Sequence, residues 1–110
     1  MATLEEDQRI VETLLCETAR FYGAKKERTL TVFDRERGNY LLVDEGWDGY
    51  QRIHRTWLHV ELRGGKFWIH RDGTQDGIAD DLVSAGVPKE RIVLAFQHQT
   101  RRERGEFATA

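Results

Sequence analysis

A single cysteine, Cys16, in a chain of 110 residues excludes an intrachain disulfide and any cysteine-based zinc motif. It falls off the apolar stripe of its helix and reads as an unremarkable thiol. No stretch approaches the roughly 20 apolar residues that a membrane-spanning helix needs, and the N-terminus, MATLEEDQ, is acidic where a secretory signal is basic. A cytoplasmic protein with no membrane association is the expectation. A basic excess is missing too: 17 Lys and Arg stand against 19 Asp and Glu, a net charge of −2. A protein that holds DNA unaided presents an excess of cations to the phosphates. The balance therefore argues for a protein partner over direct nucleic-acid contact.

The usual catalytic and cofactor signatures are also absent. There is no Gly-x-Ser-x-Gly elbow, and GGKF lacks the glycine spacing and the following Ser or Thr of a phosphate-binding loop. Asp72, Thr74, Asp76 and Gly77 imitate the opening of a calcium loop, but Val83 stands where the bidentate glutamate is required. His59 and His70 offer two nitrogen ligands, with Glu61 nearby as a third, yet no spaced partner motif completes a zinc set. Asp44 with Glu61-Leu62-Arg63 loosely imitates a nuclease metal site, but Glu61 points away from the core and no lysine follows two residues later. No cofactor, no metal and no enzyme activity are expected.

What is present is 39% apolar and 33% charged residues, enough for one compact α+β domain over residues 1–110, without repeat or internal boundary. Its organising stretch runs from Phe67 to Phe96. An apolar strand leads into RDGTQDG, where Thr74 is the expected helix cap and Asp76 places negative charge beside the helix N-terminus. Ile78, Ala79, Leu82, Val83 and Ala85 then share one face of a helix over residues 75–85. Gly86 and the only proline, Pro88, stop it, and Ile92 to Phe96 follow as a fifth strand.

Upstream, Thr3 to Tyr22 reads as a helix capped by Thr3, with Glu5 and Glu6 in its first turn and a stripe of Ile10, Val11, Leu14, Leu15, Phe21 and Tyr22. Gly23 is its expected stop, and AKKER reads as a solvated basic connection. Four strands follow, TLTVFDRE, NYLLVDEGW, YQRIHRTWLHVELR and KFWIHR. They are joined through Gly38-Asn39, Asp48-Gly49 and Gly64-Gly65 as an antiparallel meander. The first of these hairpins is left to close in two, three or four residues.

Counting outward from Gly64-Gly65, Leu62 faces Phe67 and Val60 faces Ile69, with Leu58 on the same core side. Counting from Asp48-Gly49, Glu45 faces Arg52, and Val43 and Leu41 continue that face. The other side of the long hairpin sets His59 opposite His70 and Glu61 opposite Trp68, with Trp57 two residues from His59. Tryptophans on a face expected to meet water need cover. It comes from another segment such as the C-terminal arm, from a second copy or a different protein, or the cluster serves a catalytic or metal role. Trp57, His59, Glu61, Trp68 and His70 are the candidate contact surface. The tail carries Arg101, Arg102 and Arg104 as a short helix or arm, read as solvated or partner-docking before phosphate-binding.

The stretches Asp34-Arg35, Val43-Asp44-Glu45-Gly46-Trp47, Arg71-Asp72-Gly73-Thr74, Asp76-Gly77-Ile78-Ala79 and Gly86-Val87-Pro88 occur together and in this order. From Leu4 to Ala108 the chain resembles the XisI family, described as controlling factors for excision of the fdxN DNA element in nitrogen-fixing cyanobacteria. Its tail departs from the family pattern, with QHQTRRER replacing a proline-bearing arm. The resemblance implies a second controlling protein as partner, XisH, which looks like a nuclease-fold protein, both acting beside a separate recombinase. It thus implies a non-catalytic accessory role in site-specific recombination. The alternatives are a chain that itself binds or cuts DNA, and an antitoxin-like restrainer of a nuclease partner. A homodimer is the general expectation for a small sheet protein.

Overall fold

The computed structural model describes residues 3–22 and 27–110. Gly23 and the first three residues of the basic connection lie outside them, and Glu27 and Arg28 already open the first strand. In chain order the elements are α1 (Leu4–Tyr22), β1 (Glu27–Asp34), β2 (Asn39–Asp48), β3 (Gln51–Arg63), β4 (Lys66–Asp72), α2 (Ile78–Ser84), β5 (Ile92–Leu94) and α3 (Gln99–Arg102). The sheet order is β1-β2-β3-β4-β5. The first four strands form the expected antiparallel meander, whereas β5 runs parallel to β4. The reason is the crossover: α2 carries the chain back along the sheet before β5 begins, and a helical connection joins parallel strands.

α1 starts where the sequence places it, with the Glu6 N–H donating to Thr3 Oγ1 at 3.1 Å. Val11 and Leu15 are fully buried against the sheet, beside Tyr40, Leu42, Leu58, Val60, Phe67 and Ile69. Ile10, Leu14 and Tyr22 are partly covered, but Phe21 is 82% exposed despite its place on the expected stripe. The buried face instead turns through Asp7 and Thr18, which are both buried. Thr18 satisfies its hydroxyl on the Leu14 carbonyl at 2.7 Å.

The Gly64-Gly65 hairpin has the expected register, with Leu62 on Phe67, Glu61 on Trp68 and Val60 on Ile69. The β1–β2 turn closes in four residues, since Asp34 pairs Asn39. The second hairpin differs by one residue: Asp48 pairs Gln51, so the turn is Gly49-Tyr50 and not Asp48-Gly49. Only Gly49 takes a positive φ, 62°, which suits a turn with glycine at its first central position. Glu45 consequently faces His54, and Arg52 reaches Glu45 diagonally at 2.9 Å.

Two bulges decide where the aromatic and histidine side chains go. Between Leu42 and Val43 the β3 partner jumps from Leu58 to Thr56, leaving Trp57 as the extra residue. A bulge residue shares the side of its neighbour. Trp57 therefore turns with Leu58 toward the helices, is 9% exposed, and meets the Tyr22 ring edge-on at 5.9 Å. In β4 the extra residue is His70, because Arg71 and not His70 stands opposite His59.

α2 is shorter than expected, and its cap is a different residue. Thr74 does not cap it; Asp72 accepts from the Thr74 N–H at 3.0 Å and from the Ile78 N–H at 2.7 Å, and the Thr74 hydroxyl also donates to it. The helix ends as the sequence predicts. The Gly86 N–H returns to the Val83 carbonyl and the Val87 N–H to that of Leu82, a Schellman arrangement with Gly86 at φ 101° and with Val87 and Leu82 both in the core.

Candidate functional site

The sheet face away from the helices carries the polar and aromatic cluster that alternation along β3 and β4 predicts. Glu61 and Trp68 pair across the hairpin, and the His59 and His70 rings lie 4.7 Å apart although they are not directly opposite. The bulge makes this contact by directing His70 back over its neighbour. His70 Nε2 meets Glu61 Oε1 at 2.8 Å, and His59 Nε2 meets Asn39 Oδ1 at 3.0 Å. Arg63 lies over the Trp68 ring at 3.8 Å, a cation–π contact, while the indole N–H donates to the Arg63 carbonyl at 3.1 Å. Arg63 also stands 3.6 Å from Glu61. Beside Trp68 on β5, Val93 is fully buried where Ala108 of the C-terminal segment bridges to it. Trp57 does not belong to this surface, since it packs on the opposite face.

His59 is held below the ordinary histidine range, first by burial and then by the positive charge available to His70, with Glu61 opposing. The unfolded chain therefore takes its proton near pH ~6.5, before the folded chain does. Stability linked to His59 is complete above that pH and declines as pH falls through it toward the lower folded value. A thermal midpoint lower at about pH 5.5 than at about pH 7.5, with the difference reduced in His59→Gln, is the expected result.

The two carboxylates of the nuclease-like pattern lie on opposite faces. Asp44 is buried on the helix side, accepting from Thr29 Oγ1 at 2.7 Å and from Trp57 Nε1 at 2.9 Å, while Glu61 faces the other way. One metal ion cannot be shared through a sheet. Among the described residues no three His, Cys, Asp or Glu side chains converge as a ligand set.

The remaining residues singled out by resemblance hold local structure. Asp34 accepts from the Arg37 N–H in the first turn, and Arg35 grips Glu12 of α1 through two bonds of 2.6 and 2.7 Å. This guanidinium keeps the Glu12 carboxyl below its ordinary range. Gly46 lies within β2, and Trp47 is 57% exposed with Arg52 over its ring at 5.4 Å. Gly73 donates its N–H to the Trp57 carbonyl at 2.7 Å, and a Cβ there would stand 2.7 Å from the same oxygen. Only glycine permits that approach. Asp44, Arg71, Asp72 and Gly73, with Arg55, Trp57 and Phe96, also line an open cavity of about 560 Å³ at the end of β4. Asp76 lies exposed before Gly77 and α2, and Pro88 precedes the short 3-10 turn that leads to β5. Arg101 and Arg102 sit in α3 behind its His98 cap, and Arg104 follows.

These features define a small α+β protein: one face of its open sheet is closed by helices, and the other bears a half-buried polar and aromatic cluster. The chain belongs to the XisI family, whose signature, described as XisI protein, matches residues 1–109. The crystal structure of a XisI-like protein from Anabaena variabilis is similar at 31% identity and a TM-score of 0.90, covering 98% of this chain and 100% of that one. A second Anabaena variabilis structure, of the fdxN element excision controlling factor XisI, is similar at 31% identity and a TM-score of 0.76, with 92% of each chain covered. No curated protein matches the chain.

Proposed function

We propose that this chain is a non-enzymatic accessory protein that controls excision of a DNA element by binding a protein partner resembling XisH. His59, Glu61, Trp68 and His70 form the contact surface in this reading. The observation that carries it is Trp68: a partly buried indole on the helix-free face, with Arg63 over its ring and Glu61 opposite it, beside the His59 and His70 pair. A large aromatic with a polar surround is the usual centre of a protein interface. The acidic carboxylates that a nuclease would need are meanwhile bonded within the fold or separated by the sheet. The name of the second relative, an excision controlling factor, supports the biological context.

The test is co-purification with an XisH-type protein, followed by titration of Trp68→Ala and His70→Ala. Loss of an interface tryptophan commonly costs about 2 kcal/mol or more, so binding should weaken by roughly 30-fold or more. Unchanged binding by both variants would remove this surface from the proposal. A chain that shifts DNA by itself, with steep salt dependence, would replace the accessory reading by direct DNA binding.

A further inference from the structure

The two edges of the sheet are finished differently. At one end β5 is only three residues long, and Ala108 bridges to it. At the other end β1, among the described residues, hydrogen-bonds β2 alone, over eight residues, in unbroken register from Glu27 to Asp34. Natural sheets blunt such an edge with proline, charged side chains, a bulge or a short strand. In β1 the charges stand at the ends, Glu27, Arg28 and Asp34, and the middle from Thr29 to Phe33 has none of these devices.

Its side chains add a preference. Arg28, Leu30, Val32 and Asp34 pair with Glu45, Val43, Leu41 and Asn39, so they share the helix-free face, and Thr31 between them is exposed. A second copy joined edge to edge about a two-fold axis perpendicular to the sheet keeps this face on the same side. Paired positions must then be both even or both odd, because side chains alternate along a strand. Among such registers, placing Thr31 opposite itself sets Leu30 against Val32 of the second copy and Arg28 against its Asp34. Both contacts occur twice. Sliding the strands one way puts Leu30 opposite an aspartate; sliding them the other way puts Arg28 opposite a valine. Charge complementarity selects the register centred on Thr31.

We propose that two copies of this chain pair antiparallel along β1, with Thr31 on the two-fold axis, to make one sheet of five strands from each copy. Arg28, 69% exposed beyond its 2.6 Å contact with Glu45, then stands between that glutamate and the second copy's Asp34. Val32, now 45% exposed, gains an apolar neighbour, and the rows Leu30-Val43 and Val32-Leu41 run on from one copy into the next. The contact is isologous and closes on itself, so assembly stops at two.

Light scattering on the full chain across a range of concentrations should approach twice its 12.8 kDa mass. Thr31→Lys, which opposes two ammonium groups on the axis, should raise the dimer dissociation constant at least tenfold without altering the circular dichroism spectrum. Thr31→Glu should do the same. An equimolar mixture of the two variants should restore the dimer, because position 31 of each copy faces position 31 of the other. A chain monomeric at every concentration, a Thr31→Lys dimer of undiminished affinity, or a mixture that stays monomeric would each overturn the proposal. Trp68→Ala should leave the dimer intact, which separates this contact from the partner surface on β3 and β4.

Discussion

Replacing Asp72 by alanine should lower the unfolding free energy by about 3 kcal/mol, the combined cost of losing a cap and orphaning buried donors. The carboxylate serves three donors in two directions: the Thr74 N–H and hydroxyl on one oxygen, and the Ile78 N–H on the other. Ile78 is fully buried, so its amide gains no water in exchange. The loss should appear as a drop of roughly 10–20 °C in the thermal midpoint for a domain near this size. Asp72→Asn retains one acceptor and should cost about half as much. A urea titration that gives less than about 1 kcal/mol for the alanine variant would mean that other groups cap α2 when Asp72 is gone.

The second large effect concerns Arg91. Its guanidinium bonds Asp7 in the first turns of α1, donates to the Gly65 carbonyl at 2.8 Å, and lies 5.5 Å over the Phe67 ring. The carboxylate side is 7% exposed and the arginine 23%. Removing one member of so covered a pair strands the other, at about 3–5 kcal/mol. Arg91→Met and Asp7→Leu should each fall in that range. The double variant should cost much less than the sum, since no uncompensated charge remains. Additive losses in a denaturant cycle would show that the two residues stabilise the fold independently of one another.

Much of this architecture is legible in local chemistry. Gly64-Gly65 fixes the β3–β4 register, Thr3 begins α1, and Gly86 ends α2, because each device acts within a few residues of itself. Legibility fails where a distant partner decides. Trp57 reads by alternation as a neighbour of His59, yet one inserted residue sends it to the core, and no rule of spacing announces a bulge. Thr74 looks like the cap because it stands near the helix start, but the carboxylate of Asp72 reaches past it. Phe21 follows the helical period of the apolar stripe and still ends in solvent, while the acidic Asp7 is buried because Arg91 awaits it. The His59, Glu61, Trp68 and His70 cluster was readable from two-residue alternation on a correctly placed turn. The nearness of its imidazoles was readable too, but not its geometry: Arg71 and not His70 stands opposite His59, and the bulge at His70 brings the rings together.

The bond between Asp7 and Arg91 joins residues 84 positions apart. During synthesis α1 leaves the ribosome long before Arg91 is made, so Asp7 gains its partner only after nearly the whole sheet has been translated. Closing so long a loop is a late and entropically costly step. One anchor of the N-terminal helix is thus made only after the four antiparallel strands and α2.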